Sequence, residues 1–170
     1  MADNENHDAE LAELPPLDVD PYRIPTRQCE ATLVLADRRE EVTIFLSPRS
    51  QMHPDGESVD EFLESDRAFV PVRGSEARDQ LVNRETILCL EVDTDAPTFL
   101  QREESGGGTL EMVRVELEGG AVVEGALRML GPVQSRRVSD IFNGPQRFLP
   151  LEAGSRIIYV NKRRVVRVSF

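Results

Sequence analysis

Few side chains in this sequence are of types that perform covalent chemistry. The thiols are Cys29 and Cys89, and the imidazoles are His7 and His53. Nucleophilic catalysis needs a Ser or Cys held beside a His, but His53 stands in a proline-flanked segment, Met52-His53-Pro54, and His7 in an acidic stretch. Zinc needs clustered Cys and His, and neither histidine has such a neighbour in sequence. Carboxylate pairs such as Glu40-Glu41 and Asp60-Glu61 recur. Adjacent carboxylates in an acidic protein are ordinarily solvated, and acid-base work needs one held in a cleft. The run Gly106-Gly107-Gly108 lacks the Lys-Ser/Thr of a phosphate-binding loop and reads as linker. No cofactor or metal is implied, and the chain is expected not to be an enzyme.

Two polar groupings remain. Arg137, Asp140 and Asn143 are spaced three apart, which places Asp140 and Asn143 on one side of a helical turn. There they are expected to satisfy backbone groups, with Arg137 paired to Asp140. Lys162, Arg163 and Arg167 lie at a tight turn and in the strand after it. With Val166 and Val168 facing inward, Arg167 faces outward near the turn, so these three are expected to form a small basic patch. Acidic residues of a partner, or of the chain's own first half, are the expected counterpart.

The net charge of −11 is unevenly spread. Residues 28–93 carry 15 acids and 7 bases, whereas residues 110–170 carry 6 acids and 10 bases. An acidic majority argues against non-specific nucleic-acid binding, yet leaves a local basic site open. No apolar run approaches the ~20 residues of a membrane span, and the acidic start is unlike a signal peptide. The expected location is cytoplasmic, with both cysteines reduced.

The elements that must position these residues repeat. Val59-Asp60-Glu61-Phe62-Leu63 leading to Phe69-Val70-Pro71-Val72 is matched 79 positions later by Val138-Ser139-Asp140-Ile141-Phe142 leading to Phe148-Leu149-Pro150-Leu151. Leu81-Val82-Asn83-Arg84 is matched by Tyr159-Val160-Asn161-Lys162, at a spacing of 78. Ala31 to Leu35 and Val113 to Leu117 agree in pattern alone. Chance similarity between strand-rich segments would have to produce both the Phe-x-Pro-x agreement and the paired Val-Asn-basic turn. Alternation of Val113, Val115 and Leu117 with charged residues, followed by Gly119-Gly120, predicts a hairpin into Ala121–Leu130. Val138–Phe142 predicts a short helical turn stopped by Asn143-Gly144-Pro145. The expected fold is mainly β: two diverged copies of a five-stranded bent sheet or barrel, each with one helical turn. The expected organisation is a disordered acidic tail (1–27), a first β domain (28–93), a linker (94–109) and a second β domain (110–170).

The second copy resembles a functionally uncharacterised family of small bacterial β domains. The resemblance rests on Gly125, on Arg137, Asp140 and Asn143, on Phe148, Leu149 and Leu151, and on Asn161 and Lys162. In the first copy Ser58, Glu61 and Glu64 replace the polar trio. The family lends no catalytic residue. A weaker resemblance is to Sm-like RNA-binding barrels, whose last two strands are joined by a tight basic turn, as at Asn161–Arg164; the position of the helical turn argues against it. The expected function is a regulatory or adaptor module that binds another protein, with nucleic acid as the alternative partner and no membrane.

Overall fold

The structure is a computed structural model describing residues 26–50, 54–95, 108–129 and 137–170. Strands β1 (Arg27–Val34) and β2 (Arg39–Leu46) precede helix α1 (Val59–Glu64), β3 (Phe69–Gly74), β4 (Asp79–Asn83) and β5 (Cys89–Asp93). Strands β6 (Thr109–Leu117) and β7 (Val122–Met129) then precede α2 (Val138–Phe142), β8 (Phe148–Ala153), β9 (Arg156–Asn161) and β10 (Val165–Ser169). Single 3-10 turns, Arg84–Thr86 and Lys162–Arg164, connect β4 to β5 and β9 to β10. Most of the expected tail and linker, and His7 and His53, lie outside the described residues.

The ten strands of the described residues form one antiparallel sheet in the order β10-β6-β7-β8-β9-β5-β1-β2-β3-β4. The sheet is open, which corrects the expectation of small barrels. Closing the first five strands would require β5 to take β4 as a neighbour, but β5 lies between β1 and β9. The β5–β9 ladder sets Cys89 opposite Val160 and Val92 opposite Ile157, joining the two ends of the chain.

Local chemistry accounts for the elements. Cys29, Ala31 and Leu33 alternate inward along β1, and Val42, Ile44 and Leu46 along β2. Helix α1 starts in a capping box: Ser58 Oγ accepts from the Glu61 N–H at 3.3 Å, and the Glu61 carboxylate accepts from the Ser58 N–H at 2.9 Å. So short a helix depends on docking, and α1 buries Val59, Phe62 and Leu63. Pro71 and Pro150 have no N–H to donate, and the β2–β3 ladder ends at Val72 and the β7–β8 ladder at Leu151, each one residue short of the proline. Gly119 and Gly120 turn the β6–β7 hairpin at φ of 81° and 85°.

Two apolar clusters form the core, and each takes residues from the other end of the chain. Phe148 and Tyr159 pack with the cluster built on β1 to β5. Leu88 and Cys89 pack with the cluster built on β6 to β10. Val166 and Val168 were expected to face inward, but Val166 is exposed and Val168 half-buried, and Phe170 beyond them is exposed as well. The cause is position: among the described residues β10 is an edge strand with β6 as its one neighbour, and its register shifts between Val165 and Arg167.

Candidate functional site: the helix cleft and the sheet edges

The residues singled out from sequence stand around α2 and the β9–β10 turn. Lys162 Nζ turns inward and donates to the carbonyls of Ile141 at 3.2 Å and Gly144 at 2.7 Å, at the end of α2. Burial pushes its pKa down, and Glu64 pushes it back up. Asp140 accepts from the main-chain N–H of Arg137 at 3.1 Å, so it is the backbone of Arg137 that is paired. Asn143 Nδ2 donates to the Ser139 carbonyl at 2.8 Å. Asp140 and Asn143 thus satisfy backbone groups at opposite ends of the same short helix.

The cationic side chains meet carboxylates of the same chain. Arg163 reaches Glu85 at 2.8 Å, and Arg147 approaches the same carboxylate at 3.7 Å. Arg164 pairs with Glu118 at 2.8 Å and donates to the Glu85 carbonyl at 2.6 Å. Arg167 lies 3.8 Å from Glu116. Lys162 and Arg163 line one hollow with Arg147, Glu64 and Asp66, Lys162 donating to the end of α2 and Arg163 to Glu85, while Arg167 leans along β6 towards Glu116.

Beside them a cleft of about 400 Å³ opens between the two helices, with Asp60 and Glu64 from α1 facing Asp140, Ile141, Phe148 and Pro150. Glu64 crosses it: its carboxylate accepts from the Phe148 N–H at 2.6 Å. Among the described residues no group of three or more His, Cys, Asp and Glu could hold a metal, and no helix is long and apolar enough to cross a membrane.

Cys29 and Cys89 are buried and not joined in a disulfide. Burial, and secondarily Glu91, pushes the Cys89 thiol up to about 12. A thiol so placed is a small hydrophobe rather than a nucleophile.

The sheet edges were not singled out from sequence. On β4, Leu81 is exposed, and Phe69 on the neighbouring β3 is too; on β10 Val166 is exposed, and so is Phe170 directly after it. Edge strands offer unpaired backbone groups, and natural edges are usually short, charged or covered. Here both edges are short but carry large apolar side chains. Their signal in sequence was apolar residues at strand positions that an amphipathic pattern alone assigns to the core. Glu64 and Glu85 were also missed, although Glu85 stands 78 positions before Arg163 with the opposite charge. Comparison with protein-family models, curated proteins and solved structures finds no match.

Proposed function

We propose that the chain is an internal duplication of a five-stranded unit and acts, without catalysis, as a cytoplasmic protein-interaction module that receives partner strands along its two open edges. The observation that carries this reading is the coincidence of open hydrogen-bonding edges with exposed apolar side chains: Leu81 on β4, Val166 and Phe170 at β10. Strand addition supplies both needs at once, since main-chain hydrogen bonds give affinity and alternate side chains give selectivity.

The duplication is supported by strand order and register. The first five strands stand as β5-β1-β2-β3-β4 and the last five as β10-β6-β7-β8-β9. Leu33 faces Leu90 across β1–β5, and Val115 faces Val168 across β6–β10, which are matching positions of the repeat. Nucleic acid is the less favoured partner because Arg163, Arg164 and Arg167 are paired with carboxylates.

Affinity capture from the source organism with the full chain and with an edge variant, Leu81→Lys combined with Phe170→Lys, tests the reading. Partners retained by the parent and lost by the variant are expected. Identical captures from both would remove the edges as binding surfaces.

A further inference from the structure

We infer that the strand received at each edge is that of a second copy of this chain: β4 of one molecule pairs with β10 of the next and repeats the β5–β9 junction between molecules. The inference rests on the strand-addition reading and names its partner. It comes from comparing the buried junction with the two open edges.

At the junction a fourth strand, β9, meets a fifth strand, β5. The open edges are again a fourth strand, β4, and a fifth strand, β10. Large side chains exposed at the edges are the counterparts of side chains buried at the junction. On the fourth-strand side, Leu81 (71% exposed) corresponds to Tyr159 (3%), and Phe69 (52%) to Phe148 (3%). On the fifth-strand side, Val166 (61%) corresponds to Leu88 (2%), and Phe170 (75%) to Val92 (1%). Four large apolar residues are thus exposed at the positions that a repeat of the junction would cover. Scattered single exposures are ordinary, but a set defined by one missing contact is not.

The register follows from the internal ladder, in which Cys89 opposes Val160 and Leu90 opposes Tyr159. Its counterpart between molecules sets Val82 opposite Arg167, Leu81 opposite Val168 and Gln80 opposite Ser169. The hydrogen bonds that flank the junction have counterparts too. The Asn161 N–H donates to the Leu88 carbonyl at 2.9 Å, and Asn161 Nδ2 to the Ile87 carbonyl at 2.9 Å. Asn83 holds the same position on β4, its side chain already oriented by the Glu85 N–H as Asn161 is by the Arg163 N–H. Its targets would be the carbonyls of Val166 and Val165 on the neighbour.

Charge selects head-to-tail order. The half ending in β4 carries 15 acids and 7 bases, and the half bearing β10 carries 6 acids and 10 bases. Pairing β4 with β10 brings acidic half to basic half, as the junction already does, whereas pairing like edges opposes like charge. An interface of this kind is heterologous, so it propagates until it closes into a ring or continues as a filament.

Sedimentation velocity and native mass spectrometry of the full chain, followed across protein concentration, provide the test. Expected are species of two or more chains whose mass grows with concentration. Two single-edge variants sharpen it, Leu81→Lys on β4 and Val168→Pro on β10. Each alone is expected to be monomeric, with association weakened roughly 30-fold or more. Mixed together they are expected to form a dimer and nothing larger, because each keeps the edge the other lacks; that dimer also shows both are folded. A parent chain monomeric throughout, oligomers indifferent to both substitutions, or variants that do not complement each other would overturn the inference. If the parent is monomeric while edge-dependent capture of other proteins persists, self-pairing fails and the strand-addition reading stands. Loss of both fails both.

Discussion

Arg84 and Lys162, 78 positions apart, perform one task in the two halves of the molecule. Arg84 is fully buried and donates to the carbonyls of Phe62, at 3.4 Å, and Ser65, at the end of α1, and to Ser65 Oγ at 2.6 Å. Lys162 donates to Ile141 and Gly144, the counterpart acceptors at the end of α2. A cation at a helix C-terminus satisfies carbonyls that have no partner within the helix. In each half the turn between the fourth and fifth strands thereby pins the helix to the sheet.

Arg84→Met is therefore expected to lower unfolding free energy by about 1–3 kcal/mol, because it removes the hydrogen bonds that the Ser65 carbonyl and Oγ receive at the end of α1. Arg84→Lys is expected to recover a large part of the loss, given that lysine suffices in the other half. Urea unfolding of both variants checks the ranking. Equal losses would mean that packing, and not the donated hydrogen bonds, is what Arg84 contributes.

Cys89 gives a pH dependence of definite sign. Its ordinary pKa is 9.0, and burial raises it to about 12 in the folded chain. The contribution is whole below pH 9, because both states then hold the proton. Between the two values the unfolded chain has released it and the folded chain has not, so stability falls with rising pH by up to about 1.4 kcal/mol per unit. Urea midpoints at pH 8 and pH 10 are expected to separate more for the parent chain than for Cys89→Ala. Neither cysteine should react with iodoacetamide until the protein unfolds.

Gly125 faces Leu151 and Glu152 so closely that an added Cβ would sit 3.0 Å from Leu151 Cβ and from the Glu152 carbonyl oxygen. Gly125→Ala is expected to cost about 1–3 kcal/mol through overpacking. Gly120 has nothing within 4 Å of an added Cβ, and its penalty would come from its φ of +85° alone. Thermal unfolding of the two alanine variants should place Gly125→Ala lower.

Glu64 and Glu85 both link the halves, in unequal settings. The Glu85 pairs with Arg163 and Arg147 are partly solvated, and Glu85→Gln is expected to change stability by about 0–1 kcal/mol. Glu64 accepts from a backbone N–H at the buried residue Phe148, and Glu64→Ala is expected to cost about 1–2 kcal/mol, with Glu64→Gln intermediate. Chemical denaturation resolves the order, and the salt dependence of Glu85→Gln should be the larger.

What was legible in the sequence was local. Period-2 alternation gave the strands, Gly119-Gly120 gave the β6–β7 turn, and Asn143-Gly144-Pro145 gave the end of α2, since each rests on backbone preferences within a few residues. The Phe-x-Pro-x motif was visible as a repeat, but its part in ending a ladder needs the neighbouring strand. The β5–β9 pairing was not legible, because Leu90 and Tyr159 are far apart in sequence and either could have faced another strand. Val166 was read as facing inward because alternation reports the side of a strand and not whether anything covers that side. Lys162 was read as surface charge, whereas its reach to the end of α2 depends on how β9 and α2 come together in the fold.

The exchange of Phe148 and Tyr159 for Leu88 and Cys89 between the two apolar clusters bears on how the chain is made. A ribosome delivers residues 28–93 well before β9, so the first cluster lacks two aromatic residues, and β5 a neighbour, while synthesis continues. Some 68 residues separate Asp93 from Asn161, a delay of roughly 3–14 s at ordinary elongation rates. Through that interval the nascent first half holds an apolar strand edge that its own later sequence is destined to fill. Translation speed between Thr94 and Arg156 therefore governs how long that edge is open to a wrong partner.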